Sequence, residues 1–399
     1  MRIAYLCSRL GPYHVAQLNA AHRHADIVAL EYSPIDPVYA WDTVDDASDF
    51  QRVILFKDTP VHRQPAAVVT SAMWTALEQV RPEVVAMMGW NTPSALAALR
   101  WCVETQTPAI MMSDSQECDR PRRWWKEAIK RRIVRLTAAG FVGGLPHAAY
   151  LRSLGMAAEA IVPGCDVVDN EHFAAGARAA RQRAVALRQQ LSLPEKYFLA
   201  SSRFVPEKNL PNLLRAYARY LRAAKGDPWH LVLLGDGGLK EQIVTIRHEL
   251  GLTGMVILPG FIQYPELPLY YGLAQAFVLA STTEPWGLVV NEAMASGLPV
   301  LVSSRCGCAP DLVKHGDNGF VFDPSDIDAL AQHLSCLASD GYACEVMGNA
   351  SRRIVKDWDL NLFARSLCRA AELAKSAPRR VATFRDTALL RALARWLPS

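Results

Sequence analysis

The run Ser281-Thr282-Thr283-Glu284-Pro285-Trp286-Gly287-Leu288-Val289-Val290-Asn291-Glu292 places two carboxylates eight positions apart around a glycine, and Ala293-Met294-Ala295-Ser296-Gly297-Leu298-Pro299 continues it. An apolar strand at Phe277–Ala280 leads in, and the spacing predicts a helix over Leu288–Ala295. The first N–H groups of a helix have no partner inside it and make an anion site. The amides of Trp286, Gly287 and Leu288 can therefore hold a phosphate or a sugar hydroxyl. Glu292 falls about one turn inside the helix, where a carboxylate can accept two adjacent hydroxyls such as those of a ribose. Glu284, on the loop, addresses another part of the same extended ligand. A single Glu ahead of a helix is equally explained by the helix dipole, but the whole string is not.

Two cations belong with these carboxylates. Arg203 and Lys208 follow a strand expected at Tyr197–Ser201 and precede a helix at Leu210–Leu221. An Arg fork and a Lys point charge can neutralise a departing diphosphate without a metal, although Lys208 also reads as an ordinary surface lysine. Metal readings are weaker. Asp326-Ile327-Asp328 and Asp357-Trp358-Asp359 have a D-x-D form, but the first opens a predicted helix, where capping explains it. No metal and no cofactor is expected. Gly235-Asp236-Gly237-Gly238 imitates a dinucleotide loop, yet Lys240 stands where that fingerprint needs Gly or Ala.

The elements that must position these residues alternate along the chain. Short β-rich runs at Arg2–Ser8, Asp26–Tyr32, Val53–Lys57, Val84–Gly89, Pro108–Ser113 and Phe141–Gly143 are separated by helical spacing such as Ala66–Val80 and Ser94–Val103. The alternation restarts after Pro194 with runs at Leu231–Leu234, Met255–Leu258, Phe277–Ala280, Val300–Ser303 and Phe320–Phe322. Strands alternating with helices indicate parallel sheets covered on both faces. The expected class is α/β, with two Rossmann-like doubly wound domains facing a central cleft. The bounds read as 1–175 for the first domain, 176–194 for an exposed linker helix and 195–375 for the second domain. Residues 376–399 form a last helix crossing back to the first domain.

Several blocks in order resemble the retaining glycosyltransferases of family 4, which have the GT-B fold. They are Glu284–Glu292 with its Glu-x7-Glu spacing, Ser202-Arg203-Phe204 with Glu207-Lys208-Asn209-Leu210, and Leu234-Gly235-Asp236-Gly237. Gly260-Phe261 with Tyr264–Tyr271, and His315-Gly316-Asp317-Asn318-Gly319-Phe320, complete the set. The resemblance implies transfer of a sugar from a UDP- or GDP-type donor to a hydroxyl of a glycan or lipid-linked acceptor, with retention, in polysaccharide or glycolipid synthesis. It implies that Arg203, Lys208 and Glu284 serve the reaction, while Gly11, Gly235, Trp286, Gly287, Leu288 and Glu292 bind the donor. The glycine loop Cys7–His14 would lie over the donor phosphates, with His14 either near the acceptor or simply a helix cap. The family's usual His after a first-domain strand is replaced here by Met112-Ser113-Asp114-Ser115-Gln116, which makes Ser113 and Asp114 the candidates at the reacting centre. Trp90 and Asn91, after Gly89, are further cleft candidates, although Trp90 reads equally as core. A nucleotide-sugar epimerase or hydrolase of the same fold, and a catalytically silent sugar-nucleotide-binding protein, remain as alternatives.

The charge is +4, from 43 basic and 39 acidic residues, and it is unevenly placed. Arg120–Arg135 holds eight basic residues and one acid, and Ser376–Ser399 five and one. The remainder carries 30 basic and 37 acidic residues, so two basic islands sit on an acidic body. In the first island Trp125, Ala128, Ile129 and Ile133 fall at helical spacing. That helix either rests on an anionic membrane through 120–136 or holds a lipid-diphosphate acceptor, or it is a solvated helix that packs its apolar stripe on the sheet. Nucleic acid is not the expected partner, because the aromatics are not spread along a groove. No apolar run approaches the ~18 residues of a membrane span, and the first residues are too short a run for a signal peptide. The nine cysteines contain no C-x-x-C pair and read as reduced thiols. A cytoplasmic location, peripheral to the inner membrane face, is the corresponding expectation.

Overall fold

The computed structural model describes residues 1–35, 48–339, 341–379 and 382–396. They divide into two compact units, one of Met1–Val167 with Leu360–Ser399 and the other of Val168–Asp359.

The first unit is built on strands β1 (Arg2–Cys7), β2 (Asp26–Glu31), β3 (Gln51–Ile54), β4 (Val84–Met88), β5 (Ala109–Ser113), β6 (Ala139–Val142) and β7 (Ile161–Pro163). All pair in parallel, in the order β3-β2-β1-β4-β5-β6-β7. β1 shows why its residues form a doubly covered strand. Ala4 and Leu6 face Met73, Leu77, Leu96 and Leu99 on the helices Ala66–Val80 and Pro93–Thr105, while Tyr5 points the other way towards Phe363, with ring centroids 6.4 Å apart. Both faces being apolar, the strands lose the in-out alternation of a half-exposed sheet. β7 was missed in the sequence because it is a three-residue edge strand, too short for a periodic signal.

The second unit has β8 (Tyr197–Ser201), β9 (His230–Leu234), β10 (Val256–Gly260), β11 (Ala276–Leu279), β12 (Val300–Ser303) and β13 (Gly319–Phe322), parallel in the order β10-β9-β8-β11-β12-β13. The helices Leu210–Ala223 and Ile327–Ser339 cover one face through Leu213, Leu214, Tyr217, Leu330 and Leu334. On the other, Phe173 meets Tyr271 edge-on at 5.8 Å, and Tyr271 meets Phe277 at the same distance.

The unit bounds differ from those expected. Residues 176–194 are not an exposed linker but belong to the second unit, as the helices Asn170–Gln182 and Ala184–Leu191. Their Ala and Gly content serves close packing: a Cβ on Gly272 would stand 2.8 Å from Ala177 Cα, and one on Gly176 would stand 2.5 Å from Pro268 Cβ. Their arginines do more than solvate. Arg181 donates to Ser296 O at 2.7 Å, and Arg188 to Glu195 O at 2.8 Å. The chain rejoins the first unit at Leu360 rather than 376, because Phe363, Leu367, Ala370, Ala371 and Ala374 give the helix Leu360–Ser376 a buried face against that sheet.

Candidate active site

In a doubly wound sheet the ligand crevice opens where the strand order reverses, outside the carboxyl ends of the strands. In the second unit that point lies between β8 and β11. The loop after β8 carries Arg203 and Lys208, and the loop after β11 carries Glu284.

Backbone contacts fix the first loop. Phe204 N donates to Asp236 O at 2.8 Å, and Leu239 N to Phe204 O at 2.9 Å. Gly235 has φ +127°, and a Cβ there would fall 1.8 Å from Ser202 O, so only glycine lets the β8 and β9 loops meet. Gly235 thus has a structural duty, holding the backbone beside the exposed Arg203. Asp236 pairs with Lys240 at 2.7 Å.

Lys208 closes a short turn, Pro206–Lys208, which ends in Asn209 at φ +55°. Asn209 was not singled out in the sequence, yet its Nδ2 donates to Ala280 O at 3.1 Å and Pro324 O at 2.9 Å, tying the turn to the end of β11. Thr282 N donates to Glu207 O at 2.8 Å, a second tie between the two loops. Lys208 Nζ then forms an ion pair with Glu284 Oε2, both side chains being largely buried, and the same oxygen accepts the Ser281 hydroxyl at 2.9 Å.

The Glu284 loop is extended and pinned against the segment after β12. Gly307 N donates to Glu284 O at 3.0 Å and Cys308 N to Trp286 O at 3.1 Å. Trp286 turns its ring inward, donating from Nε1 to Asn291 Oδ1 at 2.9 Å and packing on Trp358 at 5.0 Å. Gly287, at φ +103°, then starts the helix Leu288–Ala295, as the sequence predicted. Glu292 lies on that helix wholly buried, its Oε2 accepting the Tyr271 hydroxyl at 2.7 Å. Burial, and after it the Glu292 charge, hold the Tyr271 phenol well above its ordinary range, so it remains a donor.

Within the first unit the candidates follow β1 and β5. Gly11 caps the helix Pro12–His22, and His14 Nδ1 accepts the Gly11 N–H at 3.3 Å. Burial pulls the His14 imidazole down to about 4, which keeps this acceptor neutral at ordinary pH. Of the two readings of His14, the cap is therefore the one with a bond to show. Glu31, not anticipated, is fully buried at the end of β2, accepts Leu10 N at 2.8 Å and pairs with Arg52 at 2.6 Å, which anchors the glycine loop. Ser113 ends β5 and Asp114 follows it, and Ser113 Oγ accepts Ser115 N at 3.3 Å. Asp166, after β7, is the other group missed. Cys165 Sγ lies 3.5 Å from its Oδ2, and burial followed by the charge of Asp114 pushes its carboxyl up to about 7. It escaped notice because its strand did.

Among the described residues no group of three or more His, Cys, Asp or Glu side chains could hold a metal ion. Asp326 caps its helix, accepting Ala329 N at 2.9 Å.

The helix Trp124–Val134 does not present the stripe expected of it. Ile133 is buried and Ile129 half-buried, but Trp125 and Ala128 are exposed. Arg122 lies over the Tyr150 ring at 4.2 Å, and Lys130 donates to Tyr150 OH at 2.6 Å and Glu127 at 2.7 Å. These two cations, counted as surface charge in the sequence, instead hold the helix to its neighbour. No helix among the described residues is long and apolar enough to cross a membrane.

Comparison with solved structures settles the architecture. Sucrose-phosphate synthase from Thermosynechococcus elongatus superposes with a TM-score of 0.72 at 20% identity, over 92% of this chain and 97% of that one. Anabaena HepE in complex with UDP and glucose superposes with a TM-score of 0.72 at 19% identity, over 92% and 98%. The fold is GT-B. Residues 186–354, most of the second GT-B unit, match the family Glycosyl transferases group 1. Sulfoquinovosyl transferase SQD2 of Arabidopsis thaliana is 32% identical over 238 residues, covering 54% of this chain and 44% of its own. The GDP-mannose-dependent alpha-(1-6)-phosphatidylinositol monomannoside mannosyltransferase of Mycobacterium tuberculosis is 28% identical over 260 residues, covering 61% and 65%. The chain thus spans less than two thirds of the length of these curated relatives.

Proposed function

We propose that this protein is a glycosyltransferase moving a sugar from a UDP- or GDP-type nucleotide donor to a hydroxyl acceptor with retention at the anomeric carbon. The observation that carries the reading is the Lys208–Glu284 ion pair at the strand-order reversal, with Arg203 on the same loop as Lys208 and Glu292 on the helix that follows Glu284. Glu292 takes the ribose hydroxyls and Glu284 orients hydroxyls of the donor sugar. Arg203 and Lys208 neutralise the diphosphate as the anomeric C–O bond to phosphate breaks, without calling on a metal. The amides at Trp286, Gly287 and Leu288 and the glycine loop at Gly235 are assigned to the phosphates, and the family resemblance assigns Gly11 to donor binding as well. The acceptor oxygen bonds to the anomeric carbon on the face the diphosphate leaves, and its proton passes to a phosphate oxygen of the leaving group. Ser113, Asp114 and His14 are assigned to the acceptor side. Retention is supported by the Glu-x7-Glu resemblance.

The named relatives act in sulfoquinovosyl and phosphatidylinositol mannoside transfer, which supports a glycan or lipid-linked acceptor and a role in surface polysaccharide or glycolipid synthesis. The basic segment 120–136 supports contact with an anionic membrane surface, and with it a cytoplasmic, membrane-peripheral site of action. The test is donor turnover across a panel of UDP- and GDP-sugars with and without glycan and lipid acceptors, the anomeric configuration of the product being read by NMR. Acceptor-dependent release with retention is expected. Turnover indifferent to acceptor would indicate a hydrolase or epimerase, and binding without turnover a silent binding protein.

A further inference from the structure

The helix Trp124–Val134 and the C-terminal helix Phe384–Trp396 meet on one side of the first unit. Both feed the same apolar cluster, the first through Ile133 and Val134 and the second through Leu390 and Ala394. Arg132 clasps them together, its guanidinium reaching Asp386 Oδ1 at 2.8–3.0 Å. Asp386 Oδ2 is meanwhile engaged by its own helix start, accepting Thr383 N at 2.9 Å and Thr383 Oγ1 at 2.6 Å.

This arrangement consumes the acids of both basic islands. Glu127, the one acid of Arg120–Arg135, is held by Lys130 and by the Tyr150 hydroxyl at 2.8 Å. Asp386, the one acid of Ser376–Ser399, is held by Arg132 and Thr383. Exposed around them stand Arg120, Arg123, Lys126, Arg131, Arg135 and, on the second helix, Arg385 and Arg391. Each helix also opens on an aromatic that the fold leaves in water. Trp124 is 83% exposed, with Trp125 beside it at 43%, and Phe384 is 88% exposed. On the first helix Trp124, Ala128, Arg131 and Arg135 share one outward line, four and three residues apart.

Exposed large aromatics flanked by cations match an interface with anionic headgroups outside and acyl chains beneath. We propose that the two helices form one docking surface for an anionic lipid bilayer, with Trp124 and Phe384 as its interfacial anchors. The inference rests on the membrane reading of 120–136 and adds the C-terminal helix to it. A polyanion such as RNA would use the cations and not require both aromatics.

Co-sedimentation of the full chain with phosphatidylcholine vesicles containing about one third phosphatidylglycerol tests it, beside vesicles of phosphatidylcholine alone. The wild type binds the anionic vesicles and binds the neutral ones weakly. Arg131→Glu with Arg135→Glu, and separately Phe384→Ala with Arg385→Glu, each reduce the bound fraction about fivefold or more, as does Trp124→Ala with Phe384→Ala. Thermal unfolding shows that each variant is folded. If only the Arg131 and Arg135 variant loses binding, the C-terminal helix plays no part and this inference fails while the membrane reading stands. If the wild type does not bind, both fail. Vesicle binding that ignores Trp124→Ala with Phe384→Ala, together with equally tight binding of an RNA oligonucleotide, would overturn the bilayer assignment.

Discussion

Lys208 donates through Nζ to Glu284 Oε2, the oxygen that also accepts the Ser281 hydroxyl. Two loops from opposite sides of the strand-order reversal are thereby joined at their charged tips, and Asn209 and Thr282 hold their backbones in register for it. A buried charge that loses its partner is costly, so the pair functions as a unit.

Removing either member should therefore cost nearly as much as removing both. Lys208→Ala and Glu284→Gln are each expected to lower turnover by about a hundredfold, with the double variant well short of the product of the two effects. Initial-rate kinetics on a double-mutant cycle provide the check, and fully additive losses would separate the two roles.

Tyr271→Phe deletes a buried hydroxyl that donates to Glu292 Oε2 at 2.7 Å. A cost of about 1–3 kcal/mol in urea unfolding is expected, with donor KM rising more than kcat falls, because the carboxylate proposed to take the ribose loses this donor. Unchanged donor KM would remove Tyr271 from the positioning of Glu292.

Gly235→Ala and Gly238→Ala separate a conformational need from mere glycine content. The first puts a Cβ 1.8 Å from Ser202 O at φ +127°, whereas nothing lies within 4 Å of a Cβ at Gly238. Gly235→Ala should lose roughly 3 kcal/mol and Gly238→Ala well under one, read from thermal melts.

Asp166 gives a pH signature. Its carboxyl is raised to about 7 by burial and by Asp114, above the ordinary carboxylate value, so the folded protein holds a proton there that the unfolded chain has released. The stability this contributes is full below the ordinary carboxylate range and is lost as pH rises through about 7. Asp166→Asn should match the wild type near the acid end of that window and become the more stable protein above it. Parallel stability curves for the two proteins would contradict the shift.

The sequence was most legible where one element carries both a period and a punctuation mark. The helix Leu288–Ala295, set between Gly287 and Gly297, was located residue for residue, as were Val300–Ser303 and Ala66–Val80. Lys208 and Glu284 were both named, but not their contact, since 76 positions of chain separate them and only the sheet order brings them together. Glu31, Asn209 and Tyr271 support the site through bonds to residues distant in the chain, which no local spacing reveals. The return of the chain at Leu360 was hidden because a helix facing its own unit and one facing another have the same apolar period.

Titration calorimetry of UDP and GDP against the wild type and against Arg203→Ala with Lys208→Ala tests the central claim most directly. The expected result is that at least one nucleoside diphosphate binds the wild type and loses about a hundredfold or more in affinity to the double variant, each lost charge-assisted contact costing on the order of 1.5–3 kcal/mol. Failure of both to bind the wild type, or binding that the double variant leaves unchanged, would contradict the account.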